Sequence, residues 1–219
     1  MPLYCSMYKK YGNPDADIVL LQPIGEQDTG IIENELSAIR KLTDRDFYWI
    51  GFQVENWNRD LSPWEAPAVF GNDDFGEGAK DTLDEILKYC TNPDKTYYLG
   101  GYSLAGLFAL WAAYQTAVFS GIAAASPSMW FPGFDKYMAE HELKCDRVYL
   151  SLGDKEEKTK NPVMKTVGEK IRAAYSEFET QGVGCILEWN EGNHFKDHDL
   201  RMAKGFAWLC FPPTVLQRK

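Results

Sequence analysis

A chain of 219 residues, 45% hydrophobic and 25% charged, has the length to bury one core and the composition of an ordinary globular protein. Its 32 acidic residues against 23 basic ones leave a net charge of −9, which argues against nucleic acid as a partner, since phosphate binding needs a basic footprint. No stretch approaches the roughly 18 apolar residues of a membrane span, the N-terminus MPLYCSMYKKYG has no apolar run of the signal-peptide kind, and five cysteines (Cys5, Cys90, Cys145, Cys185, Cys210) stand without metal-type spacing, so reduced thiols in a cytoplasmic protein are expected.

Residues 1–17 read as polar, with turn residues at Gly12-Asn13-Pro14-Asp15. Asp17–Gln22, DIVLLQ, is a continuous apolar run stopped by Pro23, the pattern of a strand buried on both faces. A helix is predicted from Ile31 to Leu42, where Ile32, Leu36, Ile39 and Leu42 recur at helical spacing, and a second buried strand over Phe47–Val54. Glu55–Gly78 is the longest irregular stretch and carries Trp57, Trp64, Phe70 and Phe75. Long aromatic loops in compact domains are usually functional, so Trp57 and Trp64 are expected at a substrate pocket. A helix follows over Ala79–Tyr89, then a strand at Thr96–Leu99 and a helix to Gln115. Strands are predicted at 119–125, 147–152 and 184–189, and helices at 135–143, 162–180 and 199–209. From Asp17 onward, strand and helix alternate six times, which means a mostly parallel sheet with helices on both faces. With no composition break, residues 1–219 read as one domain, and no insertion between strands is long enough for a large lid.

The chemistry gathers at Gly100–Gly106, GGYSLAG, a tight turn between a strand and an apolar helix with Ser103 at its apex. That is the plan of a nucleophile elbow, in which the neighbours of the serine must be small; here Gly101 stands before it and Ala105 then Gly106 after it. A glycine-rich turn with Ser103 as a mere helix cap would carry the same residues. Other strand ends decide between them. Asp154, Glu156 and Glu157 follow the strand at 147–152, and His194 follows the strand at 184–189. Serine, acid, histidine is the chain order of α/β-hydrolase triads, and ligands gather at the carboxyl ends of parallel strands. Ser103 is therefore the expected nucleophile, His194 the general base and Glu156 the favoured acid, with Asp154 and Glu157 as rivals. The oxyanion hole is expected from the Leu104 N–H and the Ile24 N–H, with Gly25 next in line. Tyr102, beside the nucleophile, is a further candidate for substrate contact. His194 and His198 also form an H-x-x-x-H spacing, but no third ligand cluster accompanies it, so no metal and no cofactor are expected.

Four segments resemble the esterase branch of the α/β-hydrolases that includes S-formylglutathione hydrolase-like and enterochelin-esterase-like enzymes. They are Asn58-Arg59-Asp60-Leu61-Ser62-Pro63, the elbow, Ser126-Pro127-Ser128-Met129-Trp130, and Gly192-Asn193-His194-Phe195. The resemblance implies an α/β-hydrolase three-layer sandwich, a carboxylic-ester hydrolase acting on a small-molecule ester, and a place for Trp130 beside the nucleophile. The departures are Ala105 where glycine is usual, and an acid loop, GDKEE, that does not single out one carboxylate. A thioesterase, peptidase or acyltransferase would use the same three residues, and a non-catalytic binding module could retain the fold alone.

Overall fold

Apolar runs without polar alternation need cover on both faces, and five of the six receive it inside a seven-stranded sheet of order β1-β3-β2-β4-β5-β6-β7, while the last, at 184–190, lies on the sheet edge and stays partly exposed. The computed structural model describes residues 8–211. Cys5 and the first residues of the N-terminal stretch lie outside the described residues. The strands are β1 (Tyr8–Gly12), β2 (Ile18–Ile24), β3 (Tyr48–Gln53), β4 (Thr96–Tyr102), β5 (Phe119–Ala125), β6 (Arg147–Gly153) and β7 (Gly184–Asn190). The helices are α1 (Ile32–Leu42), α2 (Trp57–Asp60), α3 (Ala79–Leu87), α4 (Leu104–Gln115), α5 (Phe134–Glu140), α6 (Val167–Thr180) and α7 (His198–Cys210).

Strands β2 to β7 are mutually parallel wherever they pair, and β1 joins β3 antiparallel at the edge. The edge strand YKKYG is not legible as a strand, because its two lysines break any apolar pattern. Its place comes from pairing with β3 and from the Tyr8 ring packing on Phe52 and Tyr89.

The sequence places the end of β2 at Pro23, yet the strand runs on to Ile24. β4 accompanies β2 only as far as Leu21, so beyond that point β3 is its one neighbour. Pro23 pairs with Phe52 although it has no N–H. In a parallel ladder such a pair is joined through its flanking residues, here the Phe52 N–H to the Gln22 carbonyl and the Ile24 N–H to the Phe52 carbonyl. The proline nitrogen faces the side β4 has vacated, so no ladder bond is lost.

Two apolar layers cover the sheet. On one face α1 and α7 pack together, with Ile32, Leu36 and Ile39 meeting Met202, Phe206 and Leu209. The other face carries α3, α4, α5 and α6, and there Leu104–Tyr114 of α4 are buried on every side. A helix enclosed all round must be apolar all round, which is why LAGLFALWAAY shows no polar stripe. Strand order reverses between β2 and β4, so the crevice at that switch point opens beside the end of β4. Among the described residues no helix is long and apolar enough to cross a membrane.

Candidate active site

Four adjacent strands each deliver one polar residue to the same edge of the sheet: β4 ends before Ser103, β5 before Ser126, β6 before Glu156 and β7 before His194. Ser103 sits at φ 60°, ψ −121°, a backbone state that L-residues avoid and that costs about 1–3 kcal/mol. The turn is held against that strain by its carbonyl, which accepts N–H bonds from Gly106 (3.0 Å), Leu107 (3.1 Å) and Ser128 (3.0 Å). The Ser103 N–H donates to the Ala125 carbonyl at 3.1 Å. A Cβ on Gly101 would lie 2.3 Å from the backbone carbon and oxygen of Ala105, so only glycine fits there. Ala105 itself is fully buried, and its single methyl is accommodated.

His194 Nε2 lies 3.0 Å from Ser103 Oγ, and His194 Nδ1 lies 2.7 Å from Glu156 Oε2. The ring is partly open to solvent, while the Glu156 side chain is 5% exposed. Burial pushes the Glu156 carboxyl up, but hydrogen bonds from His194, the Gly153 N–H and Ser126 outweigh it and hold the group below the usual carboxylate range. Its Oε1 accepts three donors: the Gly153 N–H at 2.7 Å, Ser126 Oγ at 2.8 Å and Arg201 Nη1 at 2.8 Å. Three donors on one oxygen leave the other to face the imidazole.

The two rival acids are engaged elsewhere. Asp154 Oδ1 accepts the Gly192 N–H at 2.7 Å, an interaction that lowers its pKa. Glu157 forms a two-armed pair with Arg172 at 3.0 and 3.2 Å.

The loop after β2 departs from expectation. The Ile24 N–H is used in the ladder to β3, so Ile24 is not available as an oxyanion donor. The Gly25 N–H donates to Asp28 Oδ2 at 2.8 Å. The Leu104 N–H, first of α4, lacks an intrahelical acceptor and lies next to the nucleophile.

The aromatic candidates divide. Trp64 donates its indole N–H to the Pro132 carbonyl at 2.9 Å and packs on Phe131, Phe134 and Tyr137, so it plugs loops together. Trp130 is 5% exposed and packs against Phe70 and Phe75. Trp57 opens α2 half-buried against the core. Tyr102 bonds through its hydroxyl to the His194 carbonyl at 2.8 Å and lays its ring against His194 and His198, which makes it a brace for the histidine loop. Phe195, the residue after the histidine, is 82% exposed and stands edge-on to the imidazole.

His198 begins α7 with its ring against Tyr102, and burial together with the neighbouring His194 lowers its pKa. Among the described residues, no three His, Cys, Asp or Glu side chains are grouped so as to hold a metal ion.

Arg201 and Ser126 were not singled out by the sequence as site residues. Arg201 carries only a faint signal, a cation flanked by the apolar Met202 and Ala203 on a helix that also carries Lys204. Ser126 takes φ 45° at the end of β5, a strain that only coordinates reveal.

No family model matches the chain, and no curated protein matches it in sequence. Solved structures do match its fold. An IroE-like serine hydrolase from Shewanella oneidensis superposes with a TM-score of 0.70 at 15% identity, over 92% of this chain and 74% of that one. The siderophore hydrolase EstA from Aspergillus nidulans gives 0.66 at 18% identity, over 90% and 84%. The fluorophosphonate-binding serine hydrolase FphF from Staphylococcus aureus gives 0.61 at 11% identity, over 94% and 99%. The chain therefore has the α/β-hydrolase fold.

Proposed function

We propose that this protein is a serine hydrolase that cleaves small carboxylic esters through an acyl-enzyme. One observation carries the reading: an unbroken relay from Ser103 Oγ through both ring nitrogens of His194 to the buried carboxylate of Glu156, with the serine on a strained elbow. The likeness of fold to known serine hydrolases supports it.

The roles follow from the geometry. Ser103 attacks the ester carbonyl as His194 Nε2 takes its proton. Glu156 keeps the proton of His194 on Nδ1 and stabilises the imidazolium. The oxyanion receives the Leu104 N–H, while the N–H groups of Ile24 and Gly25 are already engaged with β3 and Asp28. His194 then returns the proton to the departing alcohol. Water, deprotonated by the same nitrogen, attacks the acyl-serine and releases the acid. The exposed ring of Phe195, edge-on to the His194 imidazole, offers an apolar ester a hydrophobic contact beside the nucleophile. The unpaired thiols Cys90, Cys145, Cys185 and Cys210 support a cytoplasmic setting.

The test is hydrolysis of p-nitrophenyl acetate and butyrate by the wild type and Ser103→Ala. The expected loss is about 10⁴-fold or more in kcat, together with loss of covalent labelling by a fluorophosphonate. Hydrolysis that survives Ser103→Ala would rule the reading out.

A further inference from the structure

Arg201 is 1% exposed, on a helix face otherwise made of Met202, Ala203, Gly205 and Phe206. A buried cation needs its charge matched; here Nε has no partner, and the two Nη groups carry the matching and direct it at the triad. Arg201 Nη1 donates to Glu156 Oε1 at 2.8 Å, to Ser126 Oγ at 3.0 Å and to the Tyr102 hydroxyl at 3.2 Å. Arg201 Nη2 donates to the carbonyls of Asn193 at 3.0 Å and Glu191 at 3.4 Å. One guanidinium thus touches the acid itself, the residue preceding the nucleophile and the residue preceding the histidine. The Tyr102 hydroxyl passes the connection on to the His194 carbonyl at 2.8 Å.

We propose that Arg201 is a positioning residue of this site: it locks the Glu156 carboxylate and the histidine loop in register and sets the charge that His194 experiences. The inference rests on the reading of Ser103, His194 and Glu156 as the catalytic triad. Replacing a buried ion pair with well-packed apolar residues is often harmless to stability. The particular value of a planar, two-armed cation is geometric: it reaches a carboxylate on one side and backbone carbonyls on the other at once. Because Arg201 neutralises Glu156, less of the carboxylate's charge is left to stabilise the imidazolium. The titratable groups around it are His194 on the loop after β7, Glu156 after β6, Tyr102 at the end of β4, Tyr149 on β6 and His198 one turn earlier on α7.

Arg201→Met and Arg201→Lys are compared with the wild type across pH on p-nitrophenyl acetate, with circular dichroism confirming the fold and Ser103→Ala run beside them. For Arg201→Met, kcat is expected to fall about tenfold or more while KM stays within about twofold. The acid limb of kcat/KM should move to higher pH, since Glu156 without its cation stabilises protonated His194 more strongly. Arg201→Lys keeps the charge and loses the second arm, so its acid limb should match the wild type while its kcat is reduced. A folded Arg201→Met with wild-type kcat and wild-type acid limb overturns the proposal. If Arg201→Met does not fold, Arg201→Lys decides: a kcat equal to the wild type overturns it, and a loss in kcat at constant KM supports it. Retained activity in Ser103→Ala would instead strike the triad reading, and the two failures are told apart in the same experiment.

Discussion

Asp154 and Glu156 stand two residues apart after β6 and hold different things: Asp154 Oδ1 takes the backbone N–H of Gly192, while Glu156 Oε2 faces His194 Nδ1. Asp154 thereby anchors the start of the loop that carries the histidine, and Glu156 faces the histidine itself.

Separate substitutions should split these two tasks. Glu156→Gln is expected to lower kcat by up to about 10⁴-fold, because an amide at this position favours the wrong imidazole tautomer. Asp154→Ala should keep most of the activity, with a modest fall in melting temperature as the Gly192 N–H loses its acceptor. Glu157→Ala breaks only a pair with Arg172 that is partly open to solvent, and activity should be unchanged. Steady-state kinetics on the three variants checks the assignment; a larger loss in Asp154→Ala than in Glu156→Gln would reverse it.

Gly101→Ala tests the elbow. Its Cβ would meet the backbone of Ala105 at 2.3 Å, and backbone cannot yield as a side-chain end can. Overpacking of this kind costs about 1–3 kcal/mol, and the shift it forces displaces Ser103 from His194. Lower stability in chemical denaturation together with slower fluorophosphonate labelling is the expected pair of results. Ala105→Gly should label at the wild-type rate, since it only removes a methyl.

Glu35 gives a pH signature away from the triad. Its side chain lies buried on α1, accepting from Gln22 Nε2 at 3.3 Å, and Gln22 in turn accepts the indole N–H of Trp49 at 3.1 Å. Burial pushes the Glu35 carboxyl up to about 8, with the Gln22 hydrogen bond opposing and Asp28 and Asp199 adding to the rise. Between the unfolded value of 4.5 and about 8, the folded protein keeps a proton that the unfolded chain has released. Stability therefore falls as pH rises through that window and levels off above it. Glu35→Gln removes this slope. Urea unfolding should show the variant equal to the wild type near the bottom of the window and more stable above it, by on the order of a few kcal/mol. Parallel pH profiles for the two proteins would contradict this.

Thiol chemistry should spare the four described cysteines. Burial raises the pKa of Cys90, Cys145 and Cys210 to about 12 and of Cys185 to about 11. The thiolate is the reactive form, so these four stay unreactive near neutral pH. Iodoacetamide on the native protein should spare all four by peptide mapping and leave hydrolysis at its starting rate. Inactivation that tracks alkylation of one of them would point to a thiol at the site.

The sequence by itself determined the alternation of strand and helix, because hydrophobic periodicity is a local property that each segment carries alone. It also put Ser103 and His194 just past strand ends, since an elbow is written in adjacent small residues and strand ends can be counted. What it left open was decided by contacts between distant segments. Asp154, Glu156 and Glu157 are chemically alike within four positions, and only the approach of β7 to β6 shows which carboxylate meets a histidine 38 residues away. Ile24 looked like an oxyanion donor until the pairing of Pro23 with Phe52 committed its N–H to β3. β1 became a strand only because β3 offered it an edge. Arg201, 45 residues from Glu156, reads in the chain as one more helix cation. Its meaning depends on burial, and burial belongs to the packed molecule because it exists only after the elements have come together.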